Sequence, residues 1–82
     1  MTIKYALATE KSIRLMESEN KLGFIVERNA SKPEIKEAVE IAFATKVKAV
    51  KTMTTSKGLK KAYVEFLEDG EAINVATKLG LM

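Results

Sequence analysis

Hydrophobic and polar positions change period several times along this chain, and each change marks an element. Ile3 and Tyr5 alternate with polar neighbours, which predicts a short strand from Met1 to Ala6. Thr9 is placed to cap a helix from Glu10 to about Glu19, with the Glu10 carboxylate against the positive end of the helix dipole. Ile13 and Met16 lie on one face of that helix with Leu15 beside them, and Asn20-Lys21 ends it. Leu22, Phe24 and Val26 then alternate with Gly23, Ile25 and Glu27. Period two with apolar residues on both sides predicts a central strand.

The clearest local signal follows. Ser31 and Glu34 form an S-x-x-E capping box with Pro33 in the first turn, and Ile35, Ala38, Val39, Ala42 and Phe43 recur at helical spacing. An amphipathic helix from about Lys32 to Ala44 is expected. Lys46 to Thr54 is rich in Val and Thr and reads as a strand. Its apolar positions Val47, Val50 and Met53 are three apart, which points to a bulge or a two-sided strand. Thr55 to Leu59, with Gly58, is the turn of a hairpin whose return strand, Lys60 to Leu67, puts Ala62, Val64 and Phe66 on one face. Asp69 is expected to cap a last helix in which Ala72, Val75, Ala76 and Leu79 share a face and Gly80 closes the end. The order β-α-β-α-β-β-α predicts one α+β domain over residues 1–82. It would be a mainly antiparallel four-stranded sheet packed with helices, a ferredoxin-like sandwich.

Composition narrows the function more than the fold. The 82 residues are 46% hydrophobic and 30% charged, which describes a soluble globular domain with a small core and little room for a deep cleft. There is no cysteine and no histidine, so disulfides, thiolate metal sites and the usual neutral-pH acid/base are absent. Ser12, Ser18, Ser31 and Ser56 therefore have no histidine to activate them. Glu68, Asp69 and Glu71 cluster before a helix, where capping and dipole compensation explain them better than a metal site. Gly58 and Gly70 are isolated and form no phosphate loop. An enzyme is the least favoured class, and no cofactor is expected. No apolar run approaches the ~20 residues of a membrane span, and the N-terminus lacks a secretory pattern, so a cytoplasmic protein is expected.

Charge is where the chain departs from the ordinary. Between Lys46 and Lys61 stand six lysines and no acidic residue; without them the 14 basic and 11 acidic residues become 8 and 11. A basic arm on a mildly acidic body favours a polyanionic partner, because clustered lysines gain attraction and counterion release together. Lysine on an edge strand is also a device against edge-to-edge pairing, but that accounts for two or three of the six and not for the missing glutamates. Lys46, Lys48, Lys51, Lys57, Lys60 and Lys61 are thus candidate nucleic-acid contacts. Only Arg14 and Arg28 carry guanidinium groups, so contact with the phosphate backbone is expected over base-edge readout. Thr52, Thr54, Thr55 and Ser56 can add hydroxyl contacts. Phe24, Phe43 and Phe66 fit core faces, while Tyr63, opposite Ala62, Val64 and Phe66, can either pack or stack on a base.

Five stretches, in order, resemble the large-subunit ribosomal protein family twenty-three. They are Thr9-Glu10-Lys11-Ser12, Asn20-Lys21 leading into Phe24-Ile25-Val26, Ser31-Lys32-Pro33-Glu34-Ile35-Lys36 with Ala38-Val39, Val47 through Val50 to Thr52, and Lys60-Lys61-Ala62-Tyr63-Val64. The resemblance implies binding to 23S ribosomal RNA at the rim of the polypeptide exit tunnel. It also implies a position beside ribosomal protein twenty-nine and a face for nascent-chain factors such as signal recognition particle. By position it makes Lys57, Lys60 and Lys61 RNA contacts at the hairpin, adds Lys32 and Lys36 from the second helix and Thr9 and Lys11 from the first, and places Glu10 on the docking face. The short hairpin resembles the archaeal form rather than the long, Arg-rich bacterial one, and Glu65 stands where many members carry a basic or neutral residue. Two rivals fit less well. An RNA recognition motif would use Ala62-Tyr63-Val64-x-Phe66, but Lys60 and Lys61 replace its glycine and aromatic, and it needs a further strand after the last helix. A small-ligand regulatory α+β module would need a Gly-rich or polar loop that the sequence lacks.

Overall fold

The computed structural model describes residues 2–7 and 9–80. The elements are β1 (Ile3–Ala6), α1 (Glu10–Glu19), β2 (Lys21–Val26), α2 (Lys32–Phe43), β3 (Val47–Thr54), β4 (Lys60–Phe66) and α3 (Glu71–Lys78). The strands form one four-stranded sheet in the order β1-β2-β4-β3, antiparallel at every pairing. The expected order of elements and the α+β sandwich are both observed; Met1, assigned to the first strand from the sequence, lies outside the described residues.

Alternation along β2 and β4 sends Leu22, Phe24 and Val26, and Ala62, Val64 and Phe66, to one face. There they are covered by Ile35 and Val39 of α2, Ala72, Val75 and Ala76 of α3, and Met16 of α1, all almost fully buried. Phe43, half-buried, stacks on Phe24 at 6.1 Å and 22°, and Ala42 beside it in the last turn of α2 is left exposed. Burying side chains of this size contributes roughly 1.5–3 kcal/mol each, so the six inward residues of β2 and β4 are the heart of a small core.

The central position of β2 explains its apolar pattern. Leu22 to Val26 are all buried, yet Ile25 is not part of the helix-covered core. It lies on the other face, between Tyr5 of β1 and Lys61 of β4. The three-residue spacing in β3 comes from a register shift between Val47 and Ala49. Val47 and Val50 stay on the core side, and Met53 faces the opposite side with Lys61 as its partner.

α2 begins with the expected capping box: the Glu34 amide donates to Ser31 Oγ, and Glu34 Oε1 accepts from the Ser31 amide. The start of α3 departs from expectation. Its N-cap is Gly70 at φ 78°, with no side-chain cap, and not Asp69. The missing acceptor arrives from far along the chain: Asn20 Oδ1 accepts from the Ala72 amide at 2.9 Å. The same side chain donates through Nδ2 to the carbonyls of Phe66, at 3.0 Å, and Glu68, at 2.6 Å. Asn20 also closes α1 in the left-handed conformation, φ 56°, which asparagine tolerates better than most residues. Gly80, at φ 77°, lies one residue beyond the C-cap of α3, Leu79.

Asn20→Ala removes these three hydrogen bonds and strains the left-handed turn, and is expected to destabilise the fold by about 2–4 kcal/mol. Asn20→Gly, which keeps the turn and loses the bonds, should lie about 1 kcal/mol closer to the parent. Urea unfolding of the three proteins measures both differences; equal stability of Ala and parent would remove Asn20 from this role.

Candidate nucleic-acid interface

Strand parity divides the lysines of the hairpin. β3 and β4 pair from Val47 opposite Phe66 to Thr54 opposite Lys60, and the five residues Thr55–Leu59 close the loop. The loop is tied by the Thr55 amide donating to the Leu59 carbonyl, the Gly58 amide to the Thr55 carbonyl, and the Leu59 amide to Thr55 Oγ1. Gly58 adopts φ 79°, a conformation that glycine reaches without steric cost. Lys57 stands exposed at this tip.

Lys60 and Lys61 are adjacent in sequence and opposite in space. Lys60 pairs with Val26 on the core side, and its Nζ donates to the Ala30 carbonyl just before α2. It is a half-buried structural lysine joining the hairpin to the start of α2, where Lys32 and Lys36 are exposed. Lys61 lies on the outer face with Lys51, which is directly opposite Tyr63. Among the described residues Lys51, Lys57 and Lys61 make no ion pair, and neither do Lys32 and Lys36.

The base of the hairpin has a different character. Lys48 Nζ is 3.6 Å from Glu65 Oε2. Lys46 borders a shallow cleft with Glu40, Glu68 and Glu71. The Thr45 hydroxyl, then the Asn74 amide, and finally the charge of Lys78 hold the Glu71 carboxyl below its usual range, against a small opposing effect of burial. Its contribution to stability is therefore present at neutral pH and disappears as acid protonates it through that lowered value. The six-lysine segment is thus not one patch. At its base Lys48 is paired with Glu65 and Lys46 stands beside a cleft lined by carboxylates, whereas the middle and tip carry lysines with no acidic partner among the described residues.

The first-helix candidates also separate. Thr9 is occupied as a cap: its Oγ1 accepts from the Ser12 amide at 3.2 Å. Lys11 is exposed and borders a groove of about 430 Å³ with Leu15 and Glu19 of α1 and Lys51, Met53 and Tyr63 of the sheet. Glu10 is exposed in the first turn and pairs with Arg14 at 2.8 Å. The structure adds Lys21, at the start of β2 on the outer face, bonded to Glu19 at 3.0 Å. Its place beside the hairpin depends on the β2–β4 register, which sets Lys21 opposite Glu65, far along the chain, and leaves no local trace.

What this surface offers chemically is point-charge attraction without the planar forks of arginine, suited to phosphates and not to base edges. A protein-family model described as "Ribosomal protein L23" matches residues 1–62 of the chain, from β1 through the hairpin into the first half of β4.

The two roles of lysine can be told apart by stability. Lys60→Met keeps the aliphatic stem and removes the bond to Ala30, and is expected to cost about 1–2 kcal/mol. Lys57→Ala should stay within about 0.5 kcal/mol of the parent. Denaturant midpoints compared at constant slope test this, and a neutral Lys60→Met would return Lys60 to the solvent-facing set.

Proposed function

The chain belongs to the ribosomal protein L23 family, and on that premise we propose that it is a large-subunit constituent holding 23S ribosomal RNA near the polypeptide exit tunnel. The family is one of structural components of the ribosome. The observation that carries the reading is the run of cations without an acidic partner among the described residues, Lys51 and Lys61 on the outer face of the hairpin and Lys57 at its tip. Lys32 and Lys36 extend the cationic surface from the beginning of α2, to which the hairpin is tied through Lys60. Lysines so spaced attract a phosphate backbone by charge and release its counterions, and they impose little sequence preference.

The five-residue loop supports a contact at the rim over a deep reach into the tunnel, since so short a hairpin extends little beyond the sheet. Glu10, exposed at the start of α1 and well away from the hairpin in the chain, belongs to the opposite task. It forms part of the face that receives nascent-chain factors such as signal recognition particle, next to ribosomal protein twenty-nine.

Filter binding of a 23S ribosomal RNA fragment should weaken steeply with salt. With about five lysines on phosphates, the log–log slope is roughly −3 to −5, and Lys57→Ala makes it shallower by about 1. A slope near zero would reject the reading. Glu10→Lys should lower the affinity of reconstituted subunits for signal recognition particle while leaving RNA affinity within about twofold; loss of both, or of neither, would remove Glu10 from the docking face.

A further inference from the structure

The sheet face turned away from α2 and α3 carries an aromatic ring that the core does not use. Tyr63 lies there, half-buried, opposite Gly23 on β2 and Lys51 on β3. Gly23 is the reason the ring can lie down on the sheet. A Cβ at that position would sit 2.9 Å from Tyr63 Cε1, closer than a Cβ approaches another carbon, and 3.1 Å from a methyl of Leu7, a tight contact. Tyr5, 54% exposed, stands on the same face opposite Ile25. One strand, β2, and two residues along it separate the tyrosines, roughly 10 Å across the sheet and 7 Å along it.

The charges around the ring are asymmetric. On the side of the hairpin tip, Lys61 is two residues away on the same strand and Lys51 is directly across, and neither has an acidic partner among the described residues. On the other side, Lys21 is bonded to Glu19 and Lys48 to Glu65. An aromatic platform bordered by unpaired lysines suits a base with its attached phosphate: every base has a π-face, and the cations meet the backbone. It does not suit an apolar peptide, which would leave Lys51 and Lys61 desolvated without partners.

We propose that the outer sheet face is a stacking site for unpaired ribosomal RNA nucleotides, with a base on Tyr63 and the strand leading toward Lys51, Lys61 and the hairpin tip. The inference rests on the RNA-binding reading above and adds to it a preference for single-stranded over duplex RNA. It assigns Tyr63 to contact with a base and Gly23 to positioning the ring.

The test uses the full chain and a uridine-rich single-stranded RNA hexamer carrying one 2-aminopurine, with a duplex of matched length as comparison. Binding of the hexamer should quench 2-aminopurine fluorescence. Tyr63→Ala should weaken hexamer binding about ten- to a hundredfold and abolish the quench, while changing duplex affinity less than about twofold. Tyr63→Phe should recover the quench, and Gly23→Ala, which displaces the ring without removing it or any charge, should reduce it. Circular dichroism checks that the variants are folded, and Gly23→Ala serves if Tyr63→Ala is not. Equal binding of both RNAs with no effect of either ring variant overturns the stacking site while leaving a salt-dependent backbone contact intact, and would leave the face to a protein neighbour. Absence of salt-dependent binding to either RNA overturns both readings.

Discussion

The architecture hangs on the side chain of Asn20. Its Oδ1 supplies the cap that α3 lacks, its Nδ2 holds the chain leaving β4, and its backbone turns left-handed to release α1 into β2. Three segments that no local signal connects therefore meet at one amide. The location matters because the exit from β4 and the entry to α3 are otherwise a loop with a glycine cap. In a domain of 82 residues, whose net stability is a small difference of large terms, a half-buried polar node with three hydrogen bonds is a substantial share of the total.

With that end of the sheet held, the opposite end is free to carry charge. β3 is an edge strand, so its outward lysines face solvent, and their mutual repulsion also discourages edge-to-edge association. The fold then sorts the lysines by parity and by end. Lys60 is drawn into a structural bond, Lys48 pairs with Glu65, Lys46 lines a cleft with Glu40, Glu68 and Glu71, and Lys51, Lys57 and Lys61 remain available. A partner that binds by charge meets a narrower strip than the composition of the segment implies, which ties the number of phosphate contacts to sheet geometry and not to the lysine count.

The same geometry makes the two faces of the sheet unlike. The inner face is continuous and apolar beneath the helices. The outer face mixes Ile25, Tyr63, Tyr5 and Met53 with lysines, and α1 borders it through Lys11, Leu15 and Glu19. Gly23 belongs to this outer face. The cost of glycine within a strand is offset there by the close seat it gives to Tyr63.

Much of this was legible in the residues. The capping box at Ser31, the alternation in β2 and β4, the hairpin at Gly58 and the basic run are local patterns. Local patterns determine where helices and strands begin because caps, periodicity and turn residues act over a few positions. The irregular spacing in β3 pointed to a bulge or a two-sided strand for the same reason, and the strand has both a register shift between Val47 and Ala49 and an outward Met53. The cap of α3 was assigned to Asp69 because the true acceptor, Asn20, is distant in sequence. The candidate site was legible as a segment but not as a surface. Adjacent Lys60 and Lys61 point to opposite faces, and Tyr63, Gly23 and Lys51 become neighbours only when β2, β4 and β3 are in register. By itself the sequence determined the elements, the basic hairpin and the exclusion of histidine and cysteine chemistry. Tertiary structure alone decided which lysines are free and which aromatic ring faces out, because strand pairing across long separations sets both.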